Sequence, residues 1–294
     1  MKKKHIYYCD LPTGPYCKKN CIFCMEWWIG QREMVSIEKL ELMYKNNFIE
    51  KLVLTSWEPL LNKDILKYIE MGVKYWSKVA LVTSGDEILL RESFLEKLLK
   101  VGLSEIMFSL EWPEKIHDYL VQYKWAYKII MKSLYELSLL KKKYNFSLVV
   151  NTNINLINYK FLPKFIIKIL VYFKVDIYHL QWLEYLWNAV KNFSRLFAPY
   201  SKLLYYINND SELLKYKDKL KFGRVPYCVL NKNLHSCVTL TNYDIFDGED
   251  FFNYMNEKVV LPQCEKCTKL GECELFYKYY VEKFGGWEAK PILN

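Results

Sequence analysis

Along the first 185 residues, apolar and polar positions follow two alternating rhythms. Short apolar runs read as buried strands. Between them lie longer stretches whose apolar positions recur every three or four residues, as on a helix packed against a sheet. Lys4 to Asp10 reads as the first strand. Ser36 is placed to cap a helix running to about Asn47, with Ile37, Leu40 and Met43 or Tyr44 on one face. Lys51 to Thr55 is a short strand, Asn62 caps a helix through Trp76, and Lys78 to Thr83 is the next strand. A helix over Arg91 to Val101 precedes a strand over Glu105 to Leu110. A long helix from about Tyr123 to Lys143 precedes a strand over Phe146 to Asn151. Asn158 to Phe173 is helical, and Asp176 to Gln181 is β-like again.

Strands separated by helices predict an α/β fold of parallel βα units, because parallel neighbours need a crossover. Chemistry in such folds gathers at the C-terminal strand ends. Polar and cysteine-bearing residues stand there: Cys17 to Cys24 after the first strand, Ser56-Trp57-Glu58-Pro59 after the second, and Thr83-Ser84-Gly85 after the third. Ser109 and Glu111 follow the fourth, Asn151 and Asn153 the fifth, and Gln181 the sixth. From Trp187 the pattern changes. Asn188 to Lys221 reads as helical and connective, and Val225 to Leu240 as a hairpin with Asn231-Lys232-Asn233 at its tip, which would set Cys228 opposite Cys237. The chain ends in a second cysteine loop and a Tyr-rich, helix-like segment, Glu274 to Phe284. The expected division is a core over 1–187, a helical connection over 188–221 and a cysteine-rich extension over 222–294.

A chain of 294 residues, 52% of them hydrophobic and 17% aromatic, can bury one large core with a small appendage. Its 42 Lys and Arg against 33 Asp and Glu leave a net charge of +9, which favours an anionic partner such as a nucleotide, an acidic peptide or RNA. The lysines are scattered, however, and read mainly as solvated faces. The longest apolar stretch, Phe161 to Phe173, is broken by Lys164 and Lys168, so no membrane span is expected. Met1-Lys-Lys-Lys is followed by His5 and strand-like residues, with no apolar export segment. Nine cysteines at clustered short spacings then point to metal-bound thiolates in a reducing cytoplasm, not to disulfides. The four histidines do not cluster; His179 alternates with Gln181 along the sixth strand and reads first as a core histidine.

Cys17, Cys21 and Cys24 form a C-x3-C-x2-C run with Phe23 just before the last cysteine. Three thiolates on one loop can each hold one iron of a [4Fe–4S] cluster, leaving the fourth iron open for a substrate or cofactor. With the ordered strand-end residues, this run resembles the radical S-adenosylmethionine (radical SAM) superfamily. The resemblance implies an open partial (β/α)6 barrel whose mouth holds the cluster and S-adenosylmethionine (SAM). It implies reductive cleavage of SAM to a 5′-deoxyadenosyl radical that abstracts hydrogen, and an electron donor such as flavodoxin or ferredoxin. By the same resemblance Phe23 would lie against adenine. Ser56, Trp57, Glu58 and Pro59 would take the place of the family's Gly-Gly-Glu-Pro turn at the methionine amino group. Ser109 and Asn151 would approach the ribose or carboxylate, and Gln181 the adenine. Both glycines of that turn are replaced here, so either the backbone at Trp57 still serves or the pocket is remodelled.

Cys264, Cys267 and Cys273 form a C-x2-C-x5-C run that resembles the auxiliary-cluster extension called SPASM or twitch, in a shortened form with one auxiliary [4Fe–4S] cluster. Cys228 is the favoured fourth ligand and Cys237 the alternative. Structural zinc is the competing occupant, and Cys9 reads as a small core residue. The leading expectation is a cytoplasmic radical SAM enzyme acting on a peptide side chain or a small metabolite. The alternatives are a tRNA- or nucleotide-modifying enzyme of the same chemistry and, from another class, a non-catalytic iron–sulfur module that transfers electrons or scaffolds a partner.

Overall fold

The computed structural model describes residues 4–24, 34–239 and 258–293, with the backbone alone at 244–246 and 251–252. Eight strands lie side by side in chain order: β1 (Lys4–Pro12), β2 (Asn47–Thr55), β3 (Lys78–Thr83), β4 (Glu105–Ser109), β5 (Ser147–Ile154), β6 (Ile177–Trp182), β7 (Leu220–Gly223) and β8 (Val238–Thr239). Every neighbouring pair among them is parallel. The sheet curls into a half-barrel with helices, an α/β partial barrel of TIM-like form. β9 (Asp244–Phe246) continues it in parallel beyond β1, and β10 (Phe251–Phe252) pairs antiparallel with β9.

The two faces of the sheet differ in burial, and that difference makes the site. On β4, Ile106 and Phe108 are fully buried, as are Tyr178, Leu180 and Trp182 on β6 and Leu220 and Phe222 on β7. The alternating positions, among them Ser109, His179, Gln181 and Lys221, stay partly exposed. Period-two alternation therefore sends apolar side chains under the helices and polar ones into an open lumen.

The helices follow their sequence signals with instructive exceptions. In α1 (Ile37–Asn46) the Ser36 hydroxyl accepts from Lys39 N, and Leu40, Met43 and Tyr44 are buried. α2 (Ile65–Lys74) begins later than expected because Asn62 closes a local turn, accepting from Asp64 N at 2.9 Å. The expected helix over Arg91 to Val101 is α3 (Phe94–Lys100). The long helix expected from Tyr123 is shorter and has a predecessor: α4 (Glu114–Val121) and α5 (Ala126–Leu140) meet where Trp125 is left-handed, φ 74°, and Asp118 accepts from Trp125 N and Tyr127 N. α6 (Leu162–Tyr172) precedes β6.

Short helices occupy Trp187–Lys191 through Ser211–Leu214, after which β7 adds a seventh parallel strand. The hairpin expected over Val225 to Leu240 is not formed. Tyr227–Val229 and Lys232–Cys237 are 3-10 turns, and Val238–Thr239 pairs in parallel with β7. The Asn231 side chain accepts from Asn233 N at 2.9 Å, so it starts a helical turn instead of tipping a hairpin. Besides β9 with β10, an antiparallel pair forms between Lys258–Val259 and Phe276–Tyr277, leading into a helix over Lys278–Phe284.

Candidate active site

The Cys17–Cys24 loop leaves the C-terminal end of β1 and is pinned from three sides. Asn20 N and Ile22 N donate to Val121 O and Leu120 O at the end of α4. Asn188 Nδ2 donates to Cys21 O at 3.1 Å and Asn192 Nδ2 to Ile22 O at 3.0 Å. Lys19, almost fully buried, donates to Gly85 O at 2.5 Å and lies over the Tyr123 ring. Cys24 N donates to Cys21 O, and Lys19 N to the Cys17 sulfur at 3.4 Å. Burial, then the neighbouring Cys24 and Cys17, push the Cys21 thiol well above its ordinary range. Burial likewise raises Cys17, against the opposing pull of the Lys19 amide and cation. Phe23 is partly buried and packs on the core.

Facing the loop's base is the turn after β2. Ser56 and Trp57 both take left-handed backbone, φ 65° and 48°, a conformation that glycine adopts most readily. Side-chain-bearing residues thus hold a backbone that glycine would take with less strain. Gly14 presses against this turn: a Cβ there would fall 2.2 Å from Ser56 O and 2.7 Å from Glu58 N. Glu58, 1% exposed, fastens the turn to the end of β3. Its Oε1 accepts from Leu60 N and from Thr83 Oγ1 at 2.7 Å, and its Oε2 accepts from Ser84 N and from Ser84 Oγ at 2.7 Å. Pro59 opens the 3-10 turn that follows.

Across the lumen, Ser109, Asn151, His179 and Lys221 occupy one register level on β4 to β7. Asn151 is buried with its Oδ1 lacking a hydrogen-bond partner. Glu111, just beyond β4, accepts from Asn153 N and Nδ2 and from Asn158 Nδ2, and burial raises its carboxyl to about 8. Its backbone N–H donates to Nδ1 of His117, whose ring burial holds neutral, down to about 3. Gln181 is already engaged, accepting from Arg224 at 3.0 Å.

The other cysteine group forms a separate cup. Cys228, Cys264, Cys267 and Cys273 line one cavity with the apolar Leu275 and Phe276, and Cys237 is not among its lining residues. Cys237 is buried elsewhere, donating to Lys217 O at 3.2 Å. Backbone amides point at the sulfurs: Leu275 N at Cys273 and Ile292 N at Cys267, each 3.4 Å. Leu275 is left-handed, φ 57°, which curls the chain around Cys273. Burial, aided by Cys273 and Cys264, raises Cys228 to about 11. Cys9 is wholly buried in the core.

The family model described as "Radical SAM superfamily" matches residues 11–157, half of the chain. The chain belongs to the radical SAM superfamily. Among curated relatives, GTP 3′,8-cyclase of Campylobacter lari is 27% identical over 136 residues, covering 44% of this chain and 41% of that enzyme. GTP 3′,8-cyclase of Campylobacter jejuni is 30% identical over 115 residues, covering 37% and 36%. The chain therefore spans about two fifths of the length of these relatives. Among solved structures, Streptococcus suis SuiB bound to S-adenosylmethionine has a TM-score of 0.56 at 15% identity, over 74% of this chain and 50% of that one. The same protein bound to its precursor peptide SuiA has a TM-score of 0.57 at 14% identity, over 74% and 49%. These are likenesses of fold.

Membership in the radical SAM superfamily implies an iron–sulfur-dependent enzyme with a [4Fe–4S] cluster and SAM. The donor set of the first loop fits that cluster. Burial raises the Cys17 and Cys21 thiols, Cys21 further through Cys24 and Cys17, and the charge of bound iron would reverse that cost by stabilising thiolates. The orphaned Asn151 Oδ1 fits a hydroxyl-bearing cofactor, since a buried acceptor calls for a donor. Among the described residues, no three His, Cys, Asp or Glu side chains close on a single ion, and no helix is long and apolar enough to cross a membrane. Sequence reasoning missed Lys19, Asn188, Asn192 and Arg224, whose contacts with this region arise only on folding.

Proposed function

We propose that this chain is a radical SAM enzyme that abstracts hydrogen from a peptide side chain or a small metabolite, with a second, auxiliary cluster in its C-terminal cup. One observation carries the reading. A loop of three cysteines leaves β1 beside a turn whose backbone stays left-handed at two residues that are not glycine. When bound, the cluster and SAM supply one-electron cleavage of the C5′–S bond and a 5′-deoxyadenosyl radical.

Cys17, Cys21 and Cys24 hold the first cluster in this reading, and Phe23 lies against adenine. The backbone of Ser56 and Trp57 faces the methionine amino group while Glu58 and Pro59 keep the turn rigid. Ser109 and Asn151 approach the ribose or carboxylate. Gln181 borders the adenine side, its amide set by Arg224. Cys228, Cys264, Cys267 and Cys273 hold the auxiliary cluster, and four ligands suit an electron-carrying role. The half-exposed polar lumen takes the substrate and, once filled, excludes water from the reacting carbon.

A nucleotide substrate is the second reading, favoured by the GTP named in the relatives' activity, whereas the SuiA precursor peptide bound to SuiB favours a peptide. Anaerobic reconstitution followed by dithionite and SAM tests the proposal. It expects about eight irons per chain from two four-iron clusters and release of 5′-deoxyadenosine that vanishes in Cys21→Ala. Full iron with no 5′-deoxyadenosine would favour an electron-transfer module.

A further inference from the structure

We propose that the lumen face of β6 and β7 recognises an oxyanion of the substrate, a phosphate or a carboxylate, through Lys221 and the Nε2–H of His179. This rests on the enzymatic reading above and adds the substrate's chemical class. The protonation of His179 follows from a chain of contacts. Glu184 Oε1 holds Arg224 Nε at 3.1 Å, within a pair whose side chains are both nearly fully buried. Arg224 donates to Gln181 Oε1 at 3.0 Å, which orients the amide so that Gln181 Nε2 faces His179 Nδ1 at 3.4 Å. Nδ1 is then the acceptor, and the ring proton resides on Nε2. Nε2 has no hydrogen-bond partner and is sealed from solvent. It lies over Gly223, where a Cβ would come within 3.0 Å of it.

Burial, with Arg224, Lys51 and Lys221 nearby, holds His179 neutral, down to about 4. The ring is therefore a neutral donor in a cationic setting. Lys221 stands beside it in register, on the half-exposed lumen face, and has no ion-pair partner among the described residues. Two nearby carboxylates are paired, Glu184 with Arg224 and Glu105 with Lys51, although Glu184 Oε2 makes no hydrogen bond; Asp218, which shares the Cys237 neighbourhood with Lys221, forms no ion pair with it. A cation with no ion-pair partner among the described residues, beside an unmatched N–H, matches an oxygen acceptor bearing negative charge. The neighbouring Asn151 Oδ1 is an acceptor and would turn such an oxygen away, which confines the anion to the β6–β7 side.

The test is calorimetric titration of the anaerobically reconstituted full chain, with SAM present, using pyrophosphate in one arm and triglutamate in the other. Binding of pyrophosphate alone supports the site and assigns a phosphate; binding of triglutamate alone supports it and assigns a carboxylate. Lys221→Met should weaken that binding about tenfold or more, while Lys221→Arg should retain it. Wild-type protein that binds neither anion, or binding unmoved by Lys221→Met, overturns the proposal. If the same preparation forms 5′-deoxyadenosine yet binds neither anion, only this inference falls. If it forms none, the enzymatic reading falls with it.

Discussion

Trp57 bears a large side chain at a φ of 48°, where such a residue is a steric outlier. The turn survives because Glu58 accepts four hydrogen bonds behind it. Glu58→Gln would set an amide N–H₂ against N–H and O–H donors. It should cost about 1–3 kcal/mol in thermal or denaturant unfolding and abolish SAM cleavage. Glu111 makes a second residue-scale test. Its carboxyl is raised by burial to about 8 from an ordinary 4.5, so the fold favours the protonated acid. That contribution is complete below the ordinary value and is lost as pH rises through about 8. Glu111→Gln sets an amide N–H₂ against the Asn158 or Asn153 donors, yet should flatten the pH dependence of stability over this window, so that its Tm deficit relative to wild type is smaller at pH 8 than at pH 5 by about 2–4 °C. Melting curves at pH 5 and pH 8 would check it; equal shifts at both would contradict it.

At the scale of elements, what could be read in the sequence was what local pattern determines. β1 to β6 stand out because apolar runs end in polar residues at the lumen's mouth, and α1 because Ser36 caps it. β7 was hidden because four residues, Leu220–Gly223, follow helical turns and pair only with strands set apart from them in sequence, β6 and the two-residue β8. Asn231-Lys232-Asn233 misled because one side chain serves turns and helix starts alike. The runs Cys17, Cys21, Cys24 and Cys264, Cys267, Cys273 stand out by spacing, whereas Cys228 joins the second run at one cavity only on folding. Lys19, Asn188 and Arg224 were not legible, since their roles depend on partners far along the chain. The packing of the first loop against the β2 turn supplies the prediction here. Gly14→Ala would place a Cβ 2.2 Å from Ser56 O. It should cost about 1–3 kcal/mol in unfolding by overpacking and displace the turn. SAM affinity, measured by equilibrium dialysis, should fall more than stability does.

Over the whole molecule, the C-terminal segment is built into the barrel. Trp182 of β6 stacks on Tyr200 at 3.9 Å, and Tyr185 meets Tyr277 at 5.5 Å. Glu288 accepts from Tyr200 N, Ser201 N and the Tyr280 hydroxyl. These contacts tie the second cysteine cup to the barrel, as the proposed electron-carrying role would require. If Cys228 is its fourth ligand, Cys228→Ser should lower iron from about eight to about four per chain, while Cys237→Ser should leave it unchanged. Zinc retained in place of iron would identify a structural metal instead. The account as a whole rests on the open iron of the first cluster. EPR of the reduced, reconstituted protein with and without SAM tests it most directly. The account predicts that SAM changes the first cluster's spectrum in wild type and that this signal is missing in Cys21→Ala; a wild-type spectrum that SAM leaves unaltered would contradict it.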